Sequence, residues 1–217
     1  MATDSTKVVI FDCDGVLFDS KDANIAFYNQ ILAAAGLAAM TAAEVAYVHV
    51  STAAEALSYL LTRRVSARVE EVLANSRAVD YAPFIHLMRM EPHLRELLDA
   101  VPRHIKRAIA TNRSYTIGAV LSTHGLSSEF DLVVSALDVE KPKPHPEALL
   151  KILSHFACAA KEALFVGDSE TDQISAQGAG VPFIAYKNRT LQADYHIEDL
   201  LEVTGIIKRK DSRGRGA

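Results

Sequence analysis

The chain has 217 residues, 49% of them hydrophobic and 23% charged, with 23 basic against 27 acidic side chains and a formal net charge of −4. That balance excludes a disordered chain, and the length suits one generous domain or a domain with a smaller companion. The last ten residues, KRKDSRGRGA, hold five bases and one acid, or +4, so the rest of the chain carries −4 − 4 = −8, a poor surface for tracking nucleic acid. No apolar run reaches the ~18 residues of a membrane span. The apolar stretch near the start is too short for a secretory signal. Cys13 and Cys158 are the only cysteines, so no disulfide framework is expected and a reducing cytoplasm fits.

In chain order, Lys7–Phe11 (KVVIF) is a continuous apolar run ending in an acidic turn. The segment Ser20–Met88 then reads as helical throughout. Ile25, Tyr28, Leu32 and Ala35 keep helical spacing, Thr41-x-x-Glu44 and Thr52-x-x-Glu55 are capping-box patterns, and Val69, Val72 and Leu73 mark a fourth helix. Four more short apolar runs follow: Lys106–Ala110, Leu132–Ser135, Leu164–Gly167 and Pro182–Tyr186. Helical stretches near Tyr115–His124, Pro146–Phe156 and Asp172–Ala179 separate them. Continuous apolar runs of this length suit strands covered on both faces, and strand–helix alternation implies a parallel doubly wound α/β sheet. The 94 residues between the first and second runs are too many for one crossover helix, so they form a helical insertion. The expected organisation is a core of 1–19 and 89–207, an insertion of 20–88 and a disordered basic tail of 208–217.

In such a sheet, ligands sit beyond the carboxyl ends of the strands. The residues there are Asp12-Cys13-Asp14-Gly15, Thr111-Asn112, Lys141-Pro-Lys143-Pro-His145-Pro and Asp168-Ser169-Glu170-Thr171-Asp172. Several carboxylates in one crevice repel unless a cation joins them, and hard oxygen donors suit Mg²⁺. Asp168 and Asp172 are four residues apart, so at a helix start they share a face. A hydroxyl and an ammonium are what a phosphate's remaining oxygens need.

These segments resemble a known family. FDCDGVLFDS resembles the first motif of the haloacid dehalogenase-like hydrolases, Thr111 the second, Lys143-Pro-His-Pro the third and Gly167 to Asp172 the fourth. Ile174-Ser-Ala-Gln-Gly-Ala-Gly-Val is similar to the family's helix after the last motif, and the insertion resembles the helical cap of the phosphoglycolate phosphatase-like branch. The resemblance implies a Rossmann-like sheet with strand order 5-4-1-2-3. It implies a Mg²⁺-dependent phosphomonoester hydrolase acting on a small phosphorylated metabolite through an aspartyl-phosphate. A β-phosphoglucomutase-like mutase and a non-catalytic binding or regulatory protein are the alternatives. The presence of both Asp12 and Asp14 argues against the dehalogenase branch.

By the same resemblance, Asp12 is the nucleophile and Asp14 the acid–base. Mg²⁺ is held by Asp12, the main-chain carbonyl of Asp14 and Asp168, while Asp172 orders a metal-bound water or supports Asp168. Thr111 and Lys143 bind phosphoryl oxygens, with Asn112 beside them. Lys141-Pro-Lys143-Pro fits the third motif nearly as well, which keeps Lys141 as the alternative ammonium. In this branch the cap chooses the leaving group. His49 and Ser51, in a turn before a capped helix, are the candidate substrate contacts there, with Arg77 and Arg89 as possible anion partners. Cys13 is read as a packed residue whose side chain points away from both carboxylates. Met90-Glu-Pro-His93 stands where relatives often show Pro-Gly, so a different second linker is expected. No membrane or nucleic-acid partner is expected, and the chain is a monomer or homodimer.

Overall fold

The computed structural model describes residues 5–49, 53–64, 69–76 and 79–214. It divides into two units, Met1–Asp19 with Met90–Ala217, and Ser20–Arg89.

The first unit is built on a parallel sheet. Strand β1 (Val8–Phe11) is wholly buried, which is why all four of its residues are apolar. The chain leaves through β2 (Phe18–Asp19) and returns through β3 (Arg89–Met90), two short strands outside the main sheet. It then adds β4 (Lys106–Ala110), β5 (Leu132–Val134), β6 (Ala163–Gly167), β7 (Phe183–Tyr186) and β8 (Tyr195–Ile197). The order is β5-β4-β1-β6-β7-β8 with every pairing parallel. Phe11 lies opposite Ile109 on one side and Val166 on the other, so three strands end level with one another. Counting the five expected strands, the order is 5-4-1-2-3, as the resemblance implied. The sixth strand, β8, was not anticipated. Its sequence, YHI, is too short and too polar to signal a strand, and at an edge it needs only one covered face.

The regular structure of the second unit, apart from Arg89 of β3, is helical among its described residues: α1 (Lys21–Ala34), α2 (Ala42–His49), α3 (Ala53–Arg64), α4 (Val69–Ser76) and a 3₁₀ turn at Ala82–Leu87. Tyr28, Ile31, Leu32, Val48, Leu60, Leu61 and Val72 pack into a core of its own. Helix α1 ends where Gly36 takes φ +72° and the Leu37 N–H turns back to the Leu32 carbonyl at 2.8 Å, a conformation glycine adopts at no steric cost. The capping box expected at Thr41 forms. Thr41 N–H donates to Glu44 Oε2 at 2.8 Å and Glu44 N–H to Thr41 Oγ1 at 3.3 Å. The far end of α3 reinforces it, since Arg64 Nε donates to Glu44 Oε1 at 3.0 Å and Nη2 to Oε2 at 2.6 Å, and the guanidinium also reaches the Ala38 and Ala39 carbonyls. The second expected box, at Thr52 and Glu55, lies outside the described residues.

Five helices complete the first unit: α5 (Leu94–Ala100), α6 (Ile117–Thr123), α7 (Glu147–His155), α8 (Glu170–Ala179) and α9 (Glu202–Gly214). Ala148, Leu149, Ile152 and Leu153 of α7 and Ala176 and Ala179 of α8 join β-strand residues in one core. His93 precedes α5 at φ +59° with Nδ1 2.6 Å from Asp199 Oδ2. The linker therefore keeps a left-handed position without glycine, where histidine is among the better-tolerated side chains. One expectation is corrected: residues 208–214, placed in a disordered tail, continue α9. Val203, Ile206 and Ile207 are buried and Asp211 Oδ1 accepts the Thr6 N–H at 2.8 Å; a helix anchored by its apolar first turns propagates through a charged segment at little cost. Among the described residues, no helix is long and apolar enough to cross a membrane.

The Arg64 fork holds the Glu44 carboxyl down at about 2, first through its hydrogen bond and then through the Thr41 N–H. A pKa lowered from 4.5 on folding contributes stability that is full above pH 4.5 and declines as pH falls toward 2. Glu44→Gln is expected to cost about 1–2 kcal/mol in local stability at neutral pH, and less with each step of acidification below about pH 4.5. Hydrogen exchange of the α2 amides checks both.

Candidate active site

Each chemistry-bearing segment emerges at the carboxyl end of a parallel strand in the first unit. Asp12 and Asp14 follow β1, Thr111 to Arg113 follow β4, Asp168 follows β6, and Lys143 lies on the loop before α7. Asp12 N–H still pairs with the Val166 carbonyl at 2.9 Å, so the first aspartate is anchored as the last rung of the ladder.

The centre is Lys143. Its Nζ lies 2.7 Å from Asp12 Oδ1 and 2.6 Å from Asp172 Oδ1, and all three residues are buried, at 4%, 8% and 0% exposure. Burial pulls the Lys143 ammonium down, but Asp12 and Asp172 more than offset it and hold it above the ordinary lysine range. The loop is fixed by Asn112, whose Nδ2 donates to the Lys143 carbonyl at 2.8 Å while its Oδ1 accepts the Lys143 N–H at 2.9 Å. The Asn112 amide is thus engaged by the backbone of the lysine loop. Lys141 is exposed and its N–H donates outward to Glu147 Oε2 at 3.1 Å, so the geometry brings Lys143 into the carboxylate cluster.

Asp172 is held from both ends. It completes a capping box with Ser169, whose Oγ lies 2.5 Å and N–H 3.2 Å from Asp172 Oδ2. The same oxygen takes the Asp168 N–H at 3.3 Å, while Oδ1 takes Lys143. Asp172 therefore ties the lysine to the backbone that carries Asp168. The Asp168 carboxylate sits over Gly15, where a Cβ would fall 2.0 Å from Oδ2. Gly15 also holds φ +82°, so glycine is required there twice, once by conformation and once by space. Asp12, Asp168 and Asp172 each offer an oxygen within 4.8 Å of the others.

One ammonium shared by two buried carboxylates compensates only one of them. Burial, with Asp172 adding to it against the pull of Lys143, pushes the Asp12 carboxyl up to about 7. Burial, then Asp12 and Asp172, pushes Asp168 up to about 8. Asp14 is paired elsewhere: Arg113 Nε donates to its Oδ2 at 3.1 Å and Nη2 to its Oδ1 at 2.5 Å. Four carboxylates (Asp12, Asp14, Asp168, Asp172) against two cations (Lys143, Arg113) leave 4 − 2 = 2 negative charges. A divalent cation with oxygen preference matches that deficit and that donor set. Asp12, Asp168 and Asp172 are the clustered carboxylates that fit such an ion.

Thr111 is buried, and its Oγ1 accepts the Arg113 N–H at 3.0 Å, leaving its hydroxyl proton to be donated. Cys13 is fully buried, and burial followed by Asp14 pushes its thiol well above the usual range. Of the candidates in the helical unit, Ser51 and Arg77 lie outside the described residues, as does the side chain of His49. Arg89 forms an exposed ion pair with Asp22 at 2.8 Å. Arg113 was missed by the sequence reading. An arginine two residues beyond the Thr111 motif carries no periodicity or spacing signal, and only the fold brings it to Asp14, 99 residues earlier.

Comparison with known proteins bears on this arrangement. A family model described as haloacid dehalogenase-like hydrolase matches residues 9–186. The crystal structure of a HAD-superfamily hydrolase of subfamily IA, variant 1, from Geobacter sulfurreducens superposes with a TM-score of 0.81 at 40% identity, covering 93% of this chain and 96% of that one. A phosphoglycolate phosphatase of Xanthomonas campestris pv. campestris is 27% identical over 82% of each chain. The pyrophosphatase PpaX of Bacillus velezensis is 27% identical over 95% of this chain and 100% of its own.

Gly15→Ala tests the metal geometry. The new Cβ would displace Asp168 and strain the backbone. The expected outcome is at least about tenfold weaker Mg²⁺ binding, read by titration calorimetry, with a stability loss of about 1 kcal/mol or more.

Proposed function

The chain belongs to the haloacid dehalogenase-like hydrolases and is a phosphatase of that family working through an aspartyl-phosphate; we propose that Mg²⁺ is its cation, that its substrate is a small phosphorylated metabolite, and that the chemistry is divided among its residues as follows. Asp12 is the nucleophile. Its carboxylate attacks phosphorus in line with the departing oxygen. Asp14 gives a proton to that oxygen, then takes one from the water that cleaves the aspartyl-phosphate.

Lys143 has three N–H donors, and Asp12 and Asp172 engage two. The third is left for a phosphoryl oxygen. The Thr111 hydroxyl donates to another. Asp172 and the Asn112 side chain position Lys143. Asp12, Asp168 and the main-chain carbonyl of Asp14 would hold Mg²⁺. When bound, the cation offsets charge on the phosphoryl group and lets Asp12 remain ionised. The single observation that carries this reading is the cluster of Asp12, Lys143, Asp168 and Asp172. The small substrate is supported by the relatives, which are named for phosphoglycolate and pyrophosphate.

Purified protein is expected to release phosphate from p-nitrophenyl phosphate with Mg²⁺ and to stop with EDTA. Ca²⁺ should give poor turnover, because its looser coordination misplaces the attacking group. Asp12→Asn is expected to lower turnover by at least about 10³-fold with an unchanged circular dichroism spectrum; normal turnover in that variant would refute the nucleophile. A panel of phosphorylated metabolites scored by phosphate release identifies the substrate. Dependence on a sugar bisphosphate without net phosphate release would point to a mutase.

The raised carboxyls give a pH dependence of definite sign. Asp12 and Asp168 rise from 3.8 in the unfolded chain to about 7 and about 8. The metal-free fold therefore holds protons that the unfolded chain has lost, and its stability falls as pH climbs from about 4 through 8. Bound Mg²⁺ removes that penalty. Thermal melts in EDTA and in Mg²⁺ are expected to show a larger Mg²⁺-induced rise in Tm at about pH 8 than at about pH 6.

A further inference from the structure

One buried cation of the site has no part in the chemistry above. The Arg113 side chain is only 7% exposed, whereas that of its partner Asp14 is 35% exposed. Besides the two bonds to Asp14, Arg113 Nη1 donates to Thr116 Oγ1 at 3.2 Å. Its main chain is fixed as well. The N–H donates to Thr111 Oγ1 at 3.0 Å and the carbonyl accepts the Ala136 N–H at 3.2 Å. Thr116, at the start of α6, thus holds the guanidinium, and Thr111 and Ala136 hold the Arg113 main chain, independently of Asp14. Asp14, by contrast, is the more open partner. A two-point fork fixes both the rotamer and the plane of a carboxylate, which a single-point ammonium cannot do.

We propose that Arg113 is a positioning residue that sets the Asp14 carboxyl for proton transfer to the leaving oxygen. Its contribution then grows with the leaving group's need for a proton. The inference rests on Asp14 being the acid–base. In the first step the Asp14 O–H bond breaks as its proton passes to the bridging oxygen, the phosphorus–oxygen bond to the leaving group breaks, and the Asp12 oxygen bonds to phosphorus. In the second, water bonds to phosphorus, the Asp12–phosphorus bond breaks and the water proton returns to Asp14. While one carboxyl oxygen carries the proton, the other still accepts from the fork, so the group stays aimed through the cycle.

Two probes of similar size separate this role from a structural one. p-Nitrophenolate leaves without protonation; the benzyl alkoxide of benzyl phosphate needs a proton. The value of kcat/KM covers events through phosphoryl transfer to Asp12, whereas kcat also contains the hydrolysis step common to both probes. Arg113→Met is expected to lower kcat/KM for benzyl phosphate by about 30-fold or more, a part of the ~10²–10⁴-fold that general acid catalysis supplies. The loss for p-nitrophenyl phosphate should stay below about threefold on the same basis. Arg113→Lys should recover part of the loss, and Thr116→Val should show a smaller loss of the same selectivity. These two variants carry the comparison alone if Arg113→Met does not fold by circular dichroism. Equal losses on both probes, or no loss, overturn the proposal. Asp14→Asn is the control and should show the same selectivity more strongly. If it does and the Arg113 variants do not, the inference falls alone; if Asp14→Asn is unselective, the acid–base assignment of Asp14 falls and takes the inference with it.

Discussion

A single ammonium group between two buried carboxylates sets the character of this molecule. Lys143 reaches Asp12 and Asp172 at hydrogen-bond distance, and almost no solvent reaches the three. In such surroundings, removing one partner costs about 3–5 kcal/mol, because it strands the others as uncompensated charges. The consequences run outward. The lysine loop must be rigid, and the Asn112 amide makes it so. Asp172 must keep its orientation, and Ser169 and two backbone N–H groups provide that. The loop after β6 must pass close to α8, and at Gly167 an added Cβ would fall 2.5 Å from Asp172 Cβ. One electrostatic requirement thus constrains three loops and a helix start.

The same arrangement explains why the site is poised rather than satisfied. The lysine compensates one carboxylate, Arg113 compensates another, and two negative charges remain for a divalent cation to meet. Nothing in this logic depends on the alcohol half of the ester. Lys143, Asp12, Asp168, Asp172 and Arg113 all belong to the sheet-bearing unit.

Much of this was legible in the sequence because it rests on strong local signals. Buried parallel strands must be continuously apolar, so β1, β4, β6 and β7 stood out, and their order and the acidic residues after them followed the resemblance. Thr41 and Glu44 announced their capping box by spacing alone. Other features depend on tertiary context. Strand β8 is three residues with a histidine in the middle and exists because β7 offers an edge. The charged half of α9 looks like a solvated tail until Val203, Ile206 and Ile207 anchor the preceding turns. The bonds of the Asn112 side chain to the Lys143 backbone were not foreseen, since hydrogen-bond partners are not encoded in residue type. Arg113 carries no pattern, and its role lies in a contact across 99 positions.

The position of Cys13 has a consequence for chemical durability. A thiol lies in sequence between Asp12 and Asp14, where oxidation by a peroxide or capture by an electrophile would place a bulky group. Those reagents attack the thiolate, and they need access to it. Cys13 is fully buried, and its ionisation is suppressed first by desolvation and then by the neighbouring Asp14 charge. Burial and the neighbouring acidic charge therefore passivate this sulfur, and the chain can carry a cysteine next to Asp12 and Asp14 in sequence without offering an oxidant a point of entry.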